Sequence, residues 1–348
     1  MRIAYVLTQY PVLSQTFIHA ELCALRARGL DVAVVAHERG DPSIRFGDGP
    51  DGEPFPLAAE GLDQEGVVEL LATFDHLHGH FADFGLRALA PLAAQAEVPF
   101  SFTAHAYDLF RQDARVSPAE LAALPDGCRA IVTISRFHRQ FLIDRGVPPD
   151  RVVVIPNAAR LADLIAQAPP PPDRLRRILA VGRPIPKKGF SHLVVAWSRV
   201  ARACGDVQLT ILGGAGMVDD PPPGLDLRGM VPYAEVLEEM AACDLVVAPC
   251  VIAESGDMDG VPTVLAEAGA LRRPVLASTL SGIPDLVVDG VNGLRVPPGD
   301  EDALAAALLR LARRPSELTL LGSGGPVLAA AHDAANVAAA LHTEVFAS

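Results

Sequence analysis

Arg177-Ile178-Leu179-Ala180-Val181-Gly182-Arg183-Pro184-Ile185-Pro186-Lys187-Lys188-Gly189-Phe190 is the stretch on which the fold turns. Residues 177–181 form a short apolar run of the kind buried in a parallel strand. The residues behind it, punctuated by Gly and Pro, form a loop, and Phe190 opens a helical pattern. Strand, loop and helix in that order are the unit of a parallel sheet. The unit recurs downstream, with strands predicted at 207–212, 245–249 and 274–278 and helices between them. Upstream lies Pro169-Pro170-Pro171-Pro172, a stiff extended segment that reads as a linker. Ahead of it the alternation runs again, with strands at 2–7, 31–36, 76–81, 99–105, 128–134 and 151–155. In the first helix Ser14 is the cap, Phe17, Ile18, Leu22 and Leu25 share one face, and Gly29 ends it.

This pattern predicts an α/β chain of two Rossmann-like, doubly wound domains facing each other across a cleft. Such folds bind ligands at the carboxyl ends of their strands. The expected bounds are 1–168 and 177–329, with the linker at 169–176 and a closing helix at 330–348 whose docking site the sequence leaves open. Residues 38–65, rich in Gly, Pro, Asp and Glu, read as a long surface loop.

A chain of 348 residues, 50% of them apolar, has room for two domains and a sizeable core. No apolar run reaches the roughly 18 residues of a membrane span. Residues 1–7 are too short an apolar stretch for a signal peptide and read as a buried strand. Cys23, Cys128, Cys204, Cys243 and Cys250 are scattered and show no C-x-x-C spacing, which fits reduced thiols in a cytoplasmic protein. The formal charge of −13 argues against nucleic acid as a partner. Of the 29 basic residues only two are lysines, and they are neighbours, Lys187 and Lys188.

Those lysines sit in the opening stretch with Arg183. An Arg fork and a Lys point charge at a helix start can neutralise a diphosphate where a leaving group forms. The plainer alternative is a loop of solvated charges. A second constellation is Asp259-Gly260-Val261-Pro262-Thr263-Val264-Leu265-Ala266-Glu267-Ala268. Pro262 suits a first helical turn, and the backbone N–H groups of Thr263 and Val264 would then form an anion site at the positive helix end. Glu267, one turn further in, can accept hydrogen bonds from vicinal ribose hydroxyls, and Asp259 lies ahead of the helix, nearer a reacting centre. The alternative is an amphipathic helix with a solvated Glu.

Taken together, G-R-x4-K-G, two acids with seven residues between them that include G-x-P, and E-A-x-A-x-x-x-P-V resemble the family-4 glycosyltransferases of the GT-B fold. Further pieces match in order: Thr103-Ala104-His105, Ser135-Arg136-Phe137, Ile155-Pro156-Asn157, Leu212-Gly213-Gly214, Ala248-Pro249, and Gly282-Ile283-Pro284-Asp285 before Asn292-Gly293-Leu294. Together they span essentially the whole chain. The resemblance implies a retaining, metal-independent hexosyltransferase without cofactor. It would move a sugar from a nucleotide-diphosphate donor to a saccharide, lipid-linked or small-molecule acceptor, in bacterial polysaccharide or glycosylated natural-product biosynthesis. The amino-terminal domain would face the acceptor and the carboxyl-terminal one the donor.

Residue by residue, the resemblance implies that Arg183 and Lys188 bind the donor diphosphate, with Lys187 the more dispensable neighbour. Glu267 would hold the ribose and the backbone near Met230 and Val231 the base. His105 would sit beside the transferred sugar and, with Asp259, form the catalytic pair. Two departures stand out. The first acid of the spaced pair is usually Glu, so Asp259 is one methylene shorter and its reach toward the sugar stays open. The loop after the first strand usually carries two glycines. Here Ser14-Gln15-Thr16-Phe17 resembles the S-E-T-F loop of the exopolysaccharide subgroup (colanic-acid and amylovoran type), with Gln15 for Glu, and would lie near donor or acceptor.

His76, His78 and His80 alternate on one strand and so face one way. Their type allows metal binding, but a structural or cleft-lining role is the expectation. The helix at 135–145, with Arg136, Arg139 and Arg145 beside Phe137, Phe141 and Leu142, suggests peripheral contact with the inner face of a membrane. An ordinary surface helix is the alternative. Gly213-Gly214-Ala215-Gly216 lacks a fitting G-x-G-x-x-G and reads as a turn. Two rivals share the implied fold: a sugar-nucleotide 2-epimerase and a catalytically silent sugar-nucleotide-binding subunit.

Overall fold

The structure is a computed structural model that describes residues 1–12, 15–41, 43–45, 53–113, 116–203 and 205–347. Its first sheet has six parallel strands: β1 (Arg2–Tyr10), β2 (Asp31–Arg39), β3 (His76–His80), β4 (Phe100–Ala104), β5 (Cys128–Thr133) and β6 (Val152–Val154). They lie in the order β2-β1-β3-β4-β5-β6. The second has β7 (Arg177–Val181), β8 (Gln208–Leu212), β9 (Leu225–Arg228), β10 (Leu245–Ala248), β11 (Val275–Ser278) and β12 (Gly293–Val296). These run β12-β11-β10-β7-β8-β9, again all parallel.

Strand periodicity explains how each sheet is covered on both faces. Ile3, Tyr5 and Leu7 of β1 enter one buried cluster, while Ala4 and Val6 enter the other. In the second unit Ile178 and Ala180 pack with Trp197 and the helices Phe190–Val200 and Glu301–Arg313. The six strands expected in the first half and the four expected in the second are all present, with ends shifted by at most three residues. Two strands, β9 and β12, were not anticipated. Each is four residues long, carries Arg, and lies at an edge of the sheet, where less burial is demanded of it.

The division between the units differs from the expected bounds. One unit is Met1–Ala159 joined by the chain from Ala334 onward, and the other is Arg160–Asp333. The proline run is therefore not a linker. Pro172 O accepts from Thr319 Oγ1 at 2.9 Å, and the Arg273 guanidinium donates to the carbonyls of Pro169 and Pro170. Proline carbonyls keep their full acceptor strength, so a stiff segment can be bonded down as a strap. The closing helix, Ala334–Leu341 with a π-helical turn over His342–Phe346, docks on the first unit. Val337, Ala338, Leu341, Val345 and Phe346 join the cluster around Tyr5, Ile18 and Leu22. The expected loop at 38–65 is bounded by β2 and the helix Gln64–Leu71, and Leu57 bridges to Val34 within it.

Candidate functional site

In the second sheet the strand order reverses between β7 and β10, the place where the following loops part to opposite faces and leave a crevice. The loop after β7 ends in a 3₁₀ turn, Pro186–Lys188, followed by Gly189 at φ +66°. A Cβ at Gly189 would lie 1.9 Å from Pro249 O, so only glycine lets this loop press against the segment leaving β10. Val251 N–H donates to Lys187 O at 2.9 Å and ties the two together.

The two lysines consequently face the carboxylates of that segment. Lys188 Nζ is 2.8 Å from Asp259 Oδ2, and Lys187 Nζ is 3.6 Å from Asp259 Oδ1 and 3.1 Å from Asp257 Oδ1. The Cys250 thiol donates to Asp259 Oδ2 at 3.4 Å. Burial alone would push the Asp259 carboxyl up, but Lys188, then Lys187 and the thiol, hold it below the ordinary carboxylate range. Lys188 answers in kind: burial works against its charge, yet Asp259 raises it above the usual lysine value. Arg183 is exposed, and its charge is felt at Lys188.

Beyond Asp259, Pro262 precedes the helix Thr263–Ala270 as its cap residue, with Thr263 and Val264 half-buried in its first turn. Glu267 is 8% exposed, and its Oε1 accepts from the Tyr233 hydroxyl at 3.0 Å. Burial raises its carboxyl to about 7, against the lowering effect of that hydrogen bond. Met230, 70% exposed, and Val231 follow edge strand β9. Gly213, at φ +91°, donates to Arg228 O at 3.0 Å, and a Cβ there would lie 2.0 Å from Gly182 O and 3.3 Å from Met230 Sδ. The second unit thus gathers Arg183, Lys188, Asp259, Thr263, Val264, Glu267, Met230 and Val231 on segments that follow β7, β9 and β10.

His105 belongs to the first unit, just past β4. It is 6% exposed, stacks on His80, and its Nε2 lies 3.1 Å from His80 Nδ1. Burial, then the neighbouring His80, drives it well below the usual imidazole range. Its backbone N–H donates to Asp108 Oδ1 at 2.8 Å, and Phe17 and Phe81 flank the ring. Gln15 and His80 line a cavity of about 180 Å³ with Thr8, Gln9 and Phe81, while Thr16 is exposed at the start of its helix. Ser14, expected both as helix cap and as a site residue, lies outside the described residues, and the cap position of the helix Thr16–Ala27 falls to Gln15 instead.

The three histidines of β3 do face one way. His76 Nε2 and His78 Nδ1 share Ser101 Oγ at 2.8 and 2.7 Å, and His78 Nε2 meets Thr103 Oγ1 at 3.0 Å. Glu21, His78 and His80 bring ligand-type atoms within 4.8 Å of one another, but both His78 nitrogens are already taken by hydroxyls. The donor set fits a hydrogen-bonded ladder better than an ion.

In the helix Arg136–Ile143, Arg139 turns inward to the carbonyls of Val152 and Pro149, and Arg145 lies over the Phe141 ring. Phe137 is exposed. The sequence reading missed Tyr233, Asp257, Cys250 and Glu21. Of these only Asp257 carried a signal, two residues ahead of Asp259 in the same loop. Among the described residues no helix is long and apolar enough to cross a membrane, and Cys128, Cys243 and Cys250 are buried outside any disulfide.

Comparison with known proteins agrees with this architecture. Residues 14–163 match the family model described as Glycosyltransferase Family 4, and residues 175–314 match that described as Glycosyl transferases group 1. The amylovoran biosynthesis glycosyltransferase AmsK of Erwinia amylovora is 31% identical over 53% of this chain, which spans only about half, 47%, of that relative. A Salmonella typhimurium protein described as a colanic acid biosynthesis glycosyltransferase, WcaL, is 25% identical over 90% of this chain and 91% of its own length. The solved structure of Anabaena Alr3699/HepE in complex with UDP superposes with a TM-score of 0.74 at 17% identity, covering 100% of both chains. That likeness shows the fold, GT-B. With one model matched in each half, the chain belongs to the family-4, group 1 glycosyltransferases.

Proposed function

We propose that this glycosyltransferase is a retaining, metal-independent enzyme that takes a sugar from a nucleoside-diphosphate carrier to an acceptor hydroxyl. The bond from the anomeric carbon to the phosphate oxygen breaks, and a bond to the acceptor oxygen forms on the same face. The acceptor proton passes to the departing diphosphate. Arg183, Lys188 and the N–H groups of Thr263 and Val264 would hold the diphosphate, Glu267 the ribose, and Met230 and Val231 the base. His105 and Asp259 would serve the sugar. The protein's part is positioning and charge stabilisation.

The observation that carries this reading is the buried Glu267 carboxylate on the helix that begins four residues after Asp259, the partner of Lys188. It supports an anion site at Thr263 and Val264 about one helical turn from a diol acceptor at Glu267. HepE was solved with UDP, which supports a uridine nucleotide as the first donor to try. AmsK is named for amylovoran, and WcaL provisionally for colanic acid. Both names favour a saccharide or lipid-linked acceptor in bacterial exopolysaccharide assembly over a natural-product acceptor. Free thiols fit a cytoplasmic site of action, and exposed Phe137 offers a place for peripheral membrane contact.

Incubation of the protein with UDP- and GDP-sugars without acceptor, followed by proton and phosphorus NMR, tests the reaction class. Slow release of the nucleoside diphosphate and of free sugar in the donor's anomeric form supports the proposal. Conversion to a new sugar nucleotide marks an epimerase instead. Tight donor binding without turnover, whatever acceptor is added, marks a silent binding subunit.

A further inference from the structure

The Lys187–Asp257 ion pair has no part in the donor site as described so far. Lys187, which the resemblance makes the more dispensable neighbour of Lys188, is 9% exposed, and its Nζ bridges Asp257 and Asp259 at 3.1 and 3.6 Å. Its backbone is pinned by Val251 N–H on one side and by the close approach of Gly189 to Pro249 on the other. The ammonium is therefore fixed in place rather than swinging on a surface stem.

Asp259 is itself 9% exposed, and a buried carboxylate keeps its charge only while a cation compensates it. Lys188 does so here. On the reading proposed above, Lys188 must turn to the donor diphosphate, which removes the nearest cation from Asp259 and brings an anion close by. The charged and titratable groups facing Asp259 are Lys188, Lys187, Asp257 and the Cys250 thiol, with Arg183 acting through Lys188. Only Lys187 is a cation held in place by a carboxylate of its own. We infer that Lys187, anchored by Asp257, is a positioning residue: it stays with Asp259 as counter-ion when Lys188 leaves for the diphosphate, and so keeps that carboxylate ionised and aimed. The chain's two lysines thus share one carboxylate, one exchanging and one permanent.

The test is proton uptake. Titration of the full chain with uridine diphosphate and guanosine diphosphate at pH 6, in buffers of different ionisation enthalpy, counts protons bound per nucleotide. Lys187→Met is expected to take up about one proton more than wild type, because Asp259 must protonate once both cations are gone. Any proton exchanged by Glu267 cancels in that difference. Adding Asp259→Asn to Lys187→Met should abolish the extra uptake. If Lys187→Met alone does not fold, Lys187→Met with Asp257→Asn, which removes the carboxylate left without its lysine and keeps Asp259, takes its place and should show the same extra uptake. Equal proton counts in wild type and Lys187→Met, or in the Asp257→Asn-containing variant that replaces it, overturn the inference, as does extra uptake that persists when Asp259→Asn is added. Unchanged nucleotide affinity in Lys188→Met would instead overturn the donor-site reading on which it rests.

Discussion

The Tyr233 hydroxyl donates a 3.0 Å hydrogen bond to Glu267 Oε1 across two helices of the second unit, Tyr233–Ala242 and Thr263–Ala270. The bond occupies one carboxylate oxygen. Oε2 and the remaining lone pair stay available to a diol. Tyr233 follows Met230 and Val231 with only Pro232 between, so ribose and base would be read by one continuous stretch of chain.

If Glu267 accepts from vicinal ribose hydroxyls, Glu267→Ala removes charge-assisted acceptors worth about 1.5–3 kcal/mol each. The loss should fall on donor affinity, since those contacts exist equally in ground and transition states. A 2′-deoxyribose donor already lacks part of the interaction, so the substitution should cost clearly less with it, as expected of partners in contact. Binding titrations with both donors decide this. Equal losses would place Glu267 away from the ribose.

Glu267 also sets a pH dependence. Its carboxyl loses its proton near 4.5 in the unfolded chain but at about 7 in the folded protein, because burial disfavours the charge. Between those values the folded state holds the extra proton, so this residue lowers stability as pH rises through the window. The ribose needs the ionised form, so nucleotide affinity should fall by up to about tenfold per unit as pH drops below about 7. Titrations from pH 5.5 to 8 on wild type and Glu267→Gln check both effects. A pH slope of the same size in Glu267→Gln assigns it to another group.

Lys188→Ala should reduce turnover of the donor by roughly 10²- to 10³-fold, the scale for removing a preorganised stabiliser of developing charge. Single-turnover release of nucleoside diphosphate measures it. A loss confined to KM would mean that Lys188 binds ground and transition states alike.

Gly189→Ala should lower stability by about 1–3 kcal/mol, since it adds a Cβ at positive φ against the Pro249 carbonyl. Gly205→Ala, with nothing within 4 Å of its Cβ and no positive φ, serves as the control and should change little. Thermal melts of the two variants, compared with wild type, make the contrast.

Chelation should leave donor turnover intact, because Arg183, Lys188 and the helix start supply the positive field. Loss of activity with EDTA, restored by magnesium or manganese, would revive Glu21, His78 and His80 as a metal site.

Much of the fold could be read from residues because buried strands advertise themselves. Arg177–Val181 was placed residue for residue, as its interior is continuously apolar. Leu225–Arg228 and Gly293–Val296 escaped because edge strands can alternate Leu with Asp or Arg. The proline run misled, since composition tells how stiff a segment is and not what its carbonyls bond. At the site, positions carried by spaced motifs came to hand. Contacts made through the fold did not: nothing local to Tyr233 points at Glu267 34 residues on, nor from Lys187 to Asp257 70 residues away.

The central claim is that the second unit binds the nucleoside diphosphate of a sugar donor through Lys188 and Glu267. Calorimetric titration of wild type, Lys188→Ala and Glu267→Ala with UDP, GDP and ADP tests it most directly. The expected result is measurable binding of at least one nucleotide to wild type, weakened at least tenfold by each substitution. Binding of none of the three to wild type, or equal affinity in all three proteins, would contradict it.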